Sequence, residues 1–271
     1  VFSLLLLSGC GKDDSGGTDD TSNPVLVGLD HDGVPADMDC NGYDAITCVG
    51  DYDYVDAEHC AIITGDLTVA DTSAVNLALL HTLQEVYGSI YIYNNDTLTS
   101  LSLDSLTDIG DDIYIGNSDA LTSFSLDSLT DIGGYVDFRN NAALTSFSLD
   151  SLTYIGNDLN INNNAALTSF SLDSITDIDG ELYIQDNTVL TSFSLDSLTD
   201  ISRYVAFRNN AALTSFSLDS LTGIGGTLYI QDNTALTSLS LDSLTGIGNG
   251  LNIESNAALT SFSLDSITGI G

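Results

Sequence analysis

Basic residues are almost missing. Lys and Arg total 4 against 39 Asp and Glu, a formal net charge of −35 over 271 residues. A chain so acidic repels nucleic acid, and an anionic membrane surface with it, so no nucleic-acid partner is expected. Cations and basic partners are favoured, and the charge also suits an exported protein that must stay soluble. Histidine is scarce as well. His31, His59 and His81 are all there are, and none stands at a metal-ligand spacing from another. That argues against a zinc site. No stretch keeps a helical apolar spacing long enough to stand alone. No nucleophile elbow, phosphate loop or His-based triad occurs. Catalysis needs different groups converging at one place, and here nearly the same groups recur again and again, so a non-enzymatic protein is expected. Carboxylates are common enough for a polysaccharide-active enzyme to stand as a lesser alternative.

What the chain does have is repetition. Hydrophobic residues make up 43% of it, enough for a sizeable core. "LTSFSLDSLT" occurs at Leu121, Leu144, Leu190 and Leu213, and near-copies fill the intervals at a fixed step of 23 residues. Residues 88–271 hold eight regular copies. A degenerate coil at 65–87 precedes them, with Leu67, Val69, Leu80, Leu83 and Val86 at the equivalent apolar positions. A fixed period in this range signals a solenoid. Within one copy, Ile90/Ile92 and Leu101/Leu103 alternate with period two, which predicts strands. Asn94, Asn95 and Gly110 fall where the chain must turn. The predicted fold is all-β, a single-stranded β-helix of about nine 23-residue coils stacked about 4.8 Å apart. A disordered tether is expected in front of it. The array stops at Ile270-Gly271 without a divergent cap, and a truncated array is expected.

Stacking turns each repeat position into a column. One column reads Asn95, Ser118, Asn141, Asn164, Asn187, Asn210, Asn233, Asn256, and its amides are expected to pass hydrogen bonds from coil to coil. Another is invariant: Asp104, Asp127, Asp150, Asp173, Asp196, Asp219, Asp242, Asp265. Carboxylates this close remain ionised only in solvent, so the column must be exposed. An Asx turn at the Leu103–Leu106 corner accounts for it, and a weak calcium column is the sharper alternative. Ser100 and Ser102 recur in all eight copies beside Thr99, a hydroxyl lattice that suggests an ice- or mineral-binding alternative. The opening strand of each copy varies instead. Its outward positions include Tyr91, Tyr93, Tyr114, Arg139, Tyr183, Arg208 and Tyr229, and exposed Tyr and Arg are common interface anchors. Arg139 and Arg208 share one column three coils apart, about 14 Å. This face is the expected binding surface for a surface protein or a glycan.

Four resemblances follow. Leu228-x-Ile230-x-x-Asn233-x-x-Leu236 is similar to a leucine-rich repeat. The run Cys60–Val69 and the run Gly88–Asn95 with its later copies resemble the receptor L domain, over residues 60–271, with coils more uniform than that family's. The resemblance implies a β-helical module that binds a ligand. Leu7-Ser8-Gly9-Cys10, after four leucines, resembles the end of a bacterial lipoprotein signal peptide within residues 1–10, with Cys10 the acylated residue. It implies a lipid anchor, hence membrane attachment in the bacterial cell envelope, at the outer membrane or cell surface. Residues 11–24 read as a flexible acidic tether. In the Asp/Cys-rich segment 25–59, Asp30, Asp32, Asp37, Asp39 and Asp44 around Gly33 resemble Asp-rich calcium motifs, and calcium is the one cofactor expected. With Cys10 acylated, Cys40, Cys48 and Cys60 permit one disulfide. Cys48–Cys60 is preferred, although the sequence leaves the pairing open.

Overall fold

A computed structural model describes residues 47–53, 57, 60–70 and 77–271. Cys10, Asp30, Asp32, Asp37, Asp39, Asp44 and Cys40 lie outside them. The described chain is an all-β parallel solenoid. Each regular coil has a long strand (Ile90–Tyr93 in the first) and a two-residue one (Asp108–Ile109), and every coil but the fourth has a short strand between them (Ser100–Ser102). The long strands stack into a ten-stranded sheet and the two-residue strands into an eleven-stranded sheet. The short strands form the third side, in groups of three, two and two, the first two groups joined through Ser171 by isolated bridges. Register follows the period: Ile90 pairs with Ile113 and Tyr91 with Tyr114.

Alternation explains why these residues make strands. Ile90, Ile92, Leu101, Leu103, Leu106 and Ile109 all point inward and are buried. The short-strand column fills with aromatic rings. Phe124, Phe147, Phe170, Phe193 and Phe216 stack nearly parallel, with centroids 4.9, 5.2, 5.5 and 5.3 Å apart. Phe138 and Phe207 replace the usual Ile on the long strand in two coils and meet this stack steeply, at 4.9 Å from Phe124 and 4.8 Å from Phe216.

The turns also follow from chemistry. The corner after each long strand needs a left-handed residue, and Asn94, Asn117, Asn140 and Asn163 supply it with φ of 56, 51, 58 and 55°. Asn reaches this region more readily than most side chains. At the Gly133 corner a Cβ would lie 2.0 Å from the Gly110 carbonyl oxygen, so the coils there approach too closely for a side chain.

The asparagine column is the internal brace. Asn164 Nδ2 donates to the Phe138 carbonyl at 3.0 Å, and Asn164 Oδ1 accepts the Asn141 backbone N–H at 3.1 Å. The same pair of bonds recurs at Asn187, Asn210 and Asn233. Asn256 repeats it at the last coil. Asn95 donates to the Val69 carbonyl at 2.9 Å. Asn95, Asn141, Asn164, Asn187, Asn210 and Asn233 are all fully buried, so the orphaned backbone groups inside the turns are answered by amides, except at Ser118, whose hydroxyl accepts the Asn95 N–H.

The aspartate column is exposed, as expected, but it does a different job from the Asx turn. The corner is closed by the backbone, with the Leu106 N–H donating to the Leu103 carbonyl at 3.0 Å. The Asp104 carboxylate accepts from Ser102 Oγ at 2.6 Å and from Ser125 Oγ of the next coil at 3.0 Å. It therefore ties two coils together. The reason is reach: a side chain at the rim lies nearer the serine hydroxyls on either side than its own turn.

Stacking also begins earlier than the repeat. Thr47–Cys48 pairs with Ile62–Ile63, and Tyr52–Asp53 pairs with Leu67 and Thr68. Here the step is fifteen residues instead of twenty-three, too short for a full coil. The Cys48–Cys60 disulfide, with Cα atoms 5.8 Å apart, crosses this shortened turn and settles the pairing.

Candidate functional site: the long-strand face

The outer side of the ten-stranded sheet is built from three columns. The first reads Ser89, Asp112, Tyr135, Asp158, Glu181, Tyr204, Thr227, Gly250. Next comes Tyr91, Tyr114, Asp137, Asn160, Tyr183, Ala206, Tyr229, Asn252, and then Tyr93, Gly116, Arg139, Asn162, Gln185, Arg208, Gln231, Glu254. No aliphatic side chain larger than Ala stands on it. Strand alternation places all three outside because Ile90, Ile92 and their equivalents point in.

Tyr91, Tyr93, Tyr114, Tyr183, Tyr229 and Arg208 are half-buried, and Arg139 is exposed. The structure thus brings together all seven residues expected on this face. It adds Tyr135 and Tyr204, two residues ahead of the second column. The same outward parity would have found them. Tyr93 and Tyr114 rings lie 6.3 Å apart at a tilt.

Two coils carry an arginine on this face, and their surroundings differ, above all at the position two residues before it. In the first, Arg139 Nη2 pairs with Asp137 Oδ2 at 2.7 Å, and the guanidinium stands 5.1 Å from the Tyr114 ring centre. Asp137 is 6% exposed, and that burial pushes its carboxyl above the usual range, offset in part by Arg139. In the second coil, Arg208 stacks over Tyr229 at 4.3 Å, and Ala206 stands at the place of Asp137. Among the described residues Arg208 has no carboxylate within 4.0 Å. Close by, the Tyr183 hydroxyl donates to Glu181, and burial together with that bond raises its phenol well above the ordinary value.

Polar satisfaction is uneven across the molecule. Among the described residues, four buried side-chain polar atoms meet no hydrogen-bond partner, and three of them sit on this face: Asp137 Oδ1, Asn162 Oδ1 and Arg208 Nε. Native folds leave few such atoms, and each costs about 1–3 kcal/mol unless a water or a ligand answers it.

On the hydroxyl lattice the threonine column is bonded from coil to coil, while Ser148 Oγ is the fourth unpaired atom. Thr122 Oγ1 donates to the Thr99 carbonyl at 2.8 Å, and the same step recurs at Thr145, Thr168, Thr191, Thr214, Thr237 and Thr260. Among the described residues no group of three or more His, Cys, Asp or Glu side chains is placed to hold a metal ion.

Comparison with known proteins adds one finding, and it falls on the N-terminal end of this array. Residues 45–123 match the receptor L domain. The match covers the shortened turn with its disulfide, the degenerate coil and the first regular coil and a half. No curated protein and no solved structure matches the chain. The receptor L family is one of ligand-binding domains, in keeping with the parallel solenoid described above. In the matched span, Tyr91, Tyr93 and Tyr114 belong to the long-strand face.

Proposed function

We propose that this protein is a non-enzymatic binding module whose ligand, a surface protein or a glycan, docks on the long-strand face. The observation that carries this is the gathering on one face of Asp137 Oδ1, Asn162 Oδ1 and Arg208 Nε, buried and unanswered, beside half-buried tyrosines. Polar atoms left unpaired by the fold are atoms a ligand can pair. The other faces repeat Ser, Thr and Asp in fixed columns, with threonine hydroxyls and the Ser125–Asp104 pair bonded between coils, which offers one lattice and no distinctive address.

The Leu7–Cys10 string supports attachment of the module to a bacterial envelope membrane through acylated Cys10, with residues 11–24 as the tether. Intact-mass analysis of a membrane fraction checks this. A diacyl or triacyl adduct on Cys10 is the expected result, and an unmodified chain retaining residues 1–9 contradicts it.

Binding is tested by capture from envelope extracts and on a glycan array, with Tyr183→Ala and Tyr229→Ala beside Ser194→Ala and Ser217→Ala. The tyrosine variants should lose binding with little change in melting temperature. Loss through the serine variants alone would move the site to the hydroxyl lattice.

A further inference from the structure

Coil six differs electrically from its surroundings. It carries Arg203 and Arg208, two of the three arginines, in a chain with 39 acidic residues. Among the described residues neither has a carboxylate within 4.0 Å, whereas Arg139 has Asp137 at 2.7 Å. For Arg208 the missing counter-ion traces to one position. Asp137 and Ala206 occupy the same place in their coils, two residues before an arginine, with a tyrosine and a phenylalanine in shared register. Replacing Asp by Ala leaves the second guanidinium without its counter-ion. Arg208 lies over the Tyr229 ring, 4.3 Å from its centre, with its Nε buried and unpaired. A guanidinium fixed by stacking loses little further freedom when it takes up a planar carboxylate.

The neighbours indicate what bears that carboxylate. Gln185 and Gln231 flank Arg208 in its column, and Tyr183 and Tyr229 flank Ala206. Tyr204 opens the same coil and is 38% exposed. Aromatic faces and amides, with Glu181 held by the Tyr183 hydroxyl and Glu254 by the Gln231 amide, and no aliphatic anchor, suit a hydroxyl-rich ligand better than the apolar centre of a protein interface. We propose that Arg208, stacked on Tyr229, is a carboxylate-recognising subsite for an acidic polysaccharide, a polymer of uronic acid type. This rests on the long-strand face being the binding surface. The rest of the chain repels such a polymer, so recognition is confined to coil six.

The test uses the full chain with polygalacturonate and its carboxyl-reduced, neutral counterpart, by biolayer interferometry at physiological salt. Wild type should bind polygalacturonate and prefer it to the reduced polymer by about tenfold or more, the worth of a charge-assisted contact. Arg208→Gln should abolish the preference. Ala206→Asp should do the same with Arg208 still present, because it supplies the internal partner that Arg139 already has. Coil three accommodates that Asp-x-Arg arrangement, and a melting curve checks that coil six does too. Asp137→Ala should strengthen binding by freeing Arg139. Equal binding of both polymers, or indifference to both Arg208→Gln and Ala206→Asp, overturns the proposal. So does a failure to bind polygalacturonate. Binding of the neutral polymer that is lost in Tyr229→Ala but kept in Arg208→Gln overturns the carboxylate subsite and leaves the long-strand face as the binding surface.

Discussion

The backbone N–H of Asn164 donates to Oδ1 of Asn187 at 3.0 Å, across two coils whose residues are 23 apart in sequence. Asn187 in turn donates through Nδ2 to the Ile161 carbonyl at 2.8 Å. One side chain thereby satisfies two buried backbone groups. Asn187→Ala should strand both and cost roughly 2–5 kcal/mol, since a buried unsatisfied polar group costs about 1–3 kcal/mol. Urea unfolding monitored by circular dichroism checks this. Asp186→Asn, one residue away on the exposed rim and suited to the left-handed φ of 58° there, should cost far less.

The Cys48–Cys60 bridge closes a short loop in front of the repeat. Cys48→Ser with Cys60→Ser should destabilise the first coils by about 2–4 kcal/mol through the freed unfolded state. Hydrogen exchange is the suitable measurement. Protection should fall at Ile63, Leu67 and Val69 and stay unchanged around Leu228, because each coil contacts only its neighbours.

The two kinds of aspartate should respond oppositely to acid. Burial raises the Asp137 carboxyl, so the folded state binds its proton more tightly than the unfolded state. Its contribution is favourable below the unfolded value and is lost as pH rises through the folded one. Asp196 is lowered, first by the Ser217 hydroxyl and then by Ser194 and the Asp219 backbone N–H, with partial burial opposing. Its contribution is present above the unfolded value and lost as pH falls through the folded one. The change in melting temperature caused by Asp137→Asn should therefore be more favourable at pH 7 than at pH 3. Asp196→Asn should be more harmful at pH 7 than at pH 3. Calorimetric melts of both variants at the two pH values provide the check.

Calcium is expected to bind within residues 30–44 and only weakly along the Asp104 column, whose carboxylates already accept serine hydroxyls. Titration calorimetry should show one stronger event that Asp30→Ala with Asp32→Ala removes. An unchanged titration in that variant would displace the site.

The period made most of the fold legible. Eight copies turn a sequence into columns, and an apolar column that never varies can only point inward. The asparagine column was legible for the same reason. The aspartate corner was harder, since its partners, Ser102 and Ser125, belong to different coils and local turn chemistry suggests a nearer bond. The start of stacking at Thr47 was hidden because its step is 15 residues, a register with no second example to reveal it. On the long-strand face, alternation put position 137 and position 206 outside correctly, yet both are buried. Their cover comes from side chains in adjacent coils and neighbouring columns, such as Tyr114, Tyr229 and the arginines, and that sideways packing leaves no mark on local spacing.

The shared register of Arg139 and Arg208 has a further consequence. They occupy one column, three coils apart, and every coil between them adds the same rise of about 4.8 Å. Gain or loss of a 23-residue unit between them would alter their separation in whole steps and leave their orientation, their stacking tyrosines and the amide brace beneath them as they are. The array is in this sense a ruler graduated in coils. Its lineage can retune the distance between two charged contacts by copying a length of sequence, without redesigning either contact.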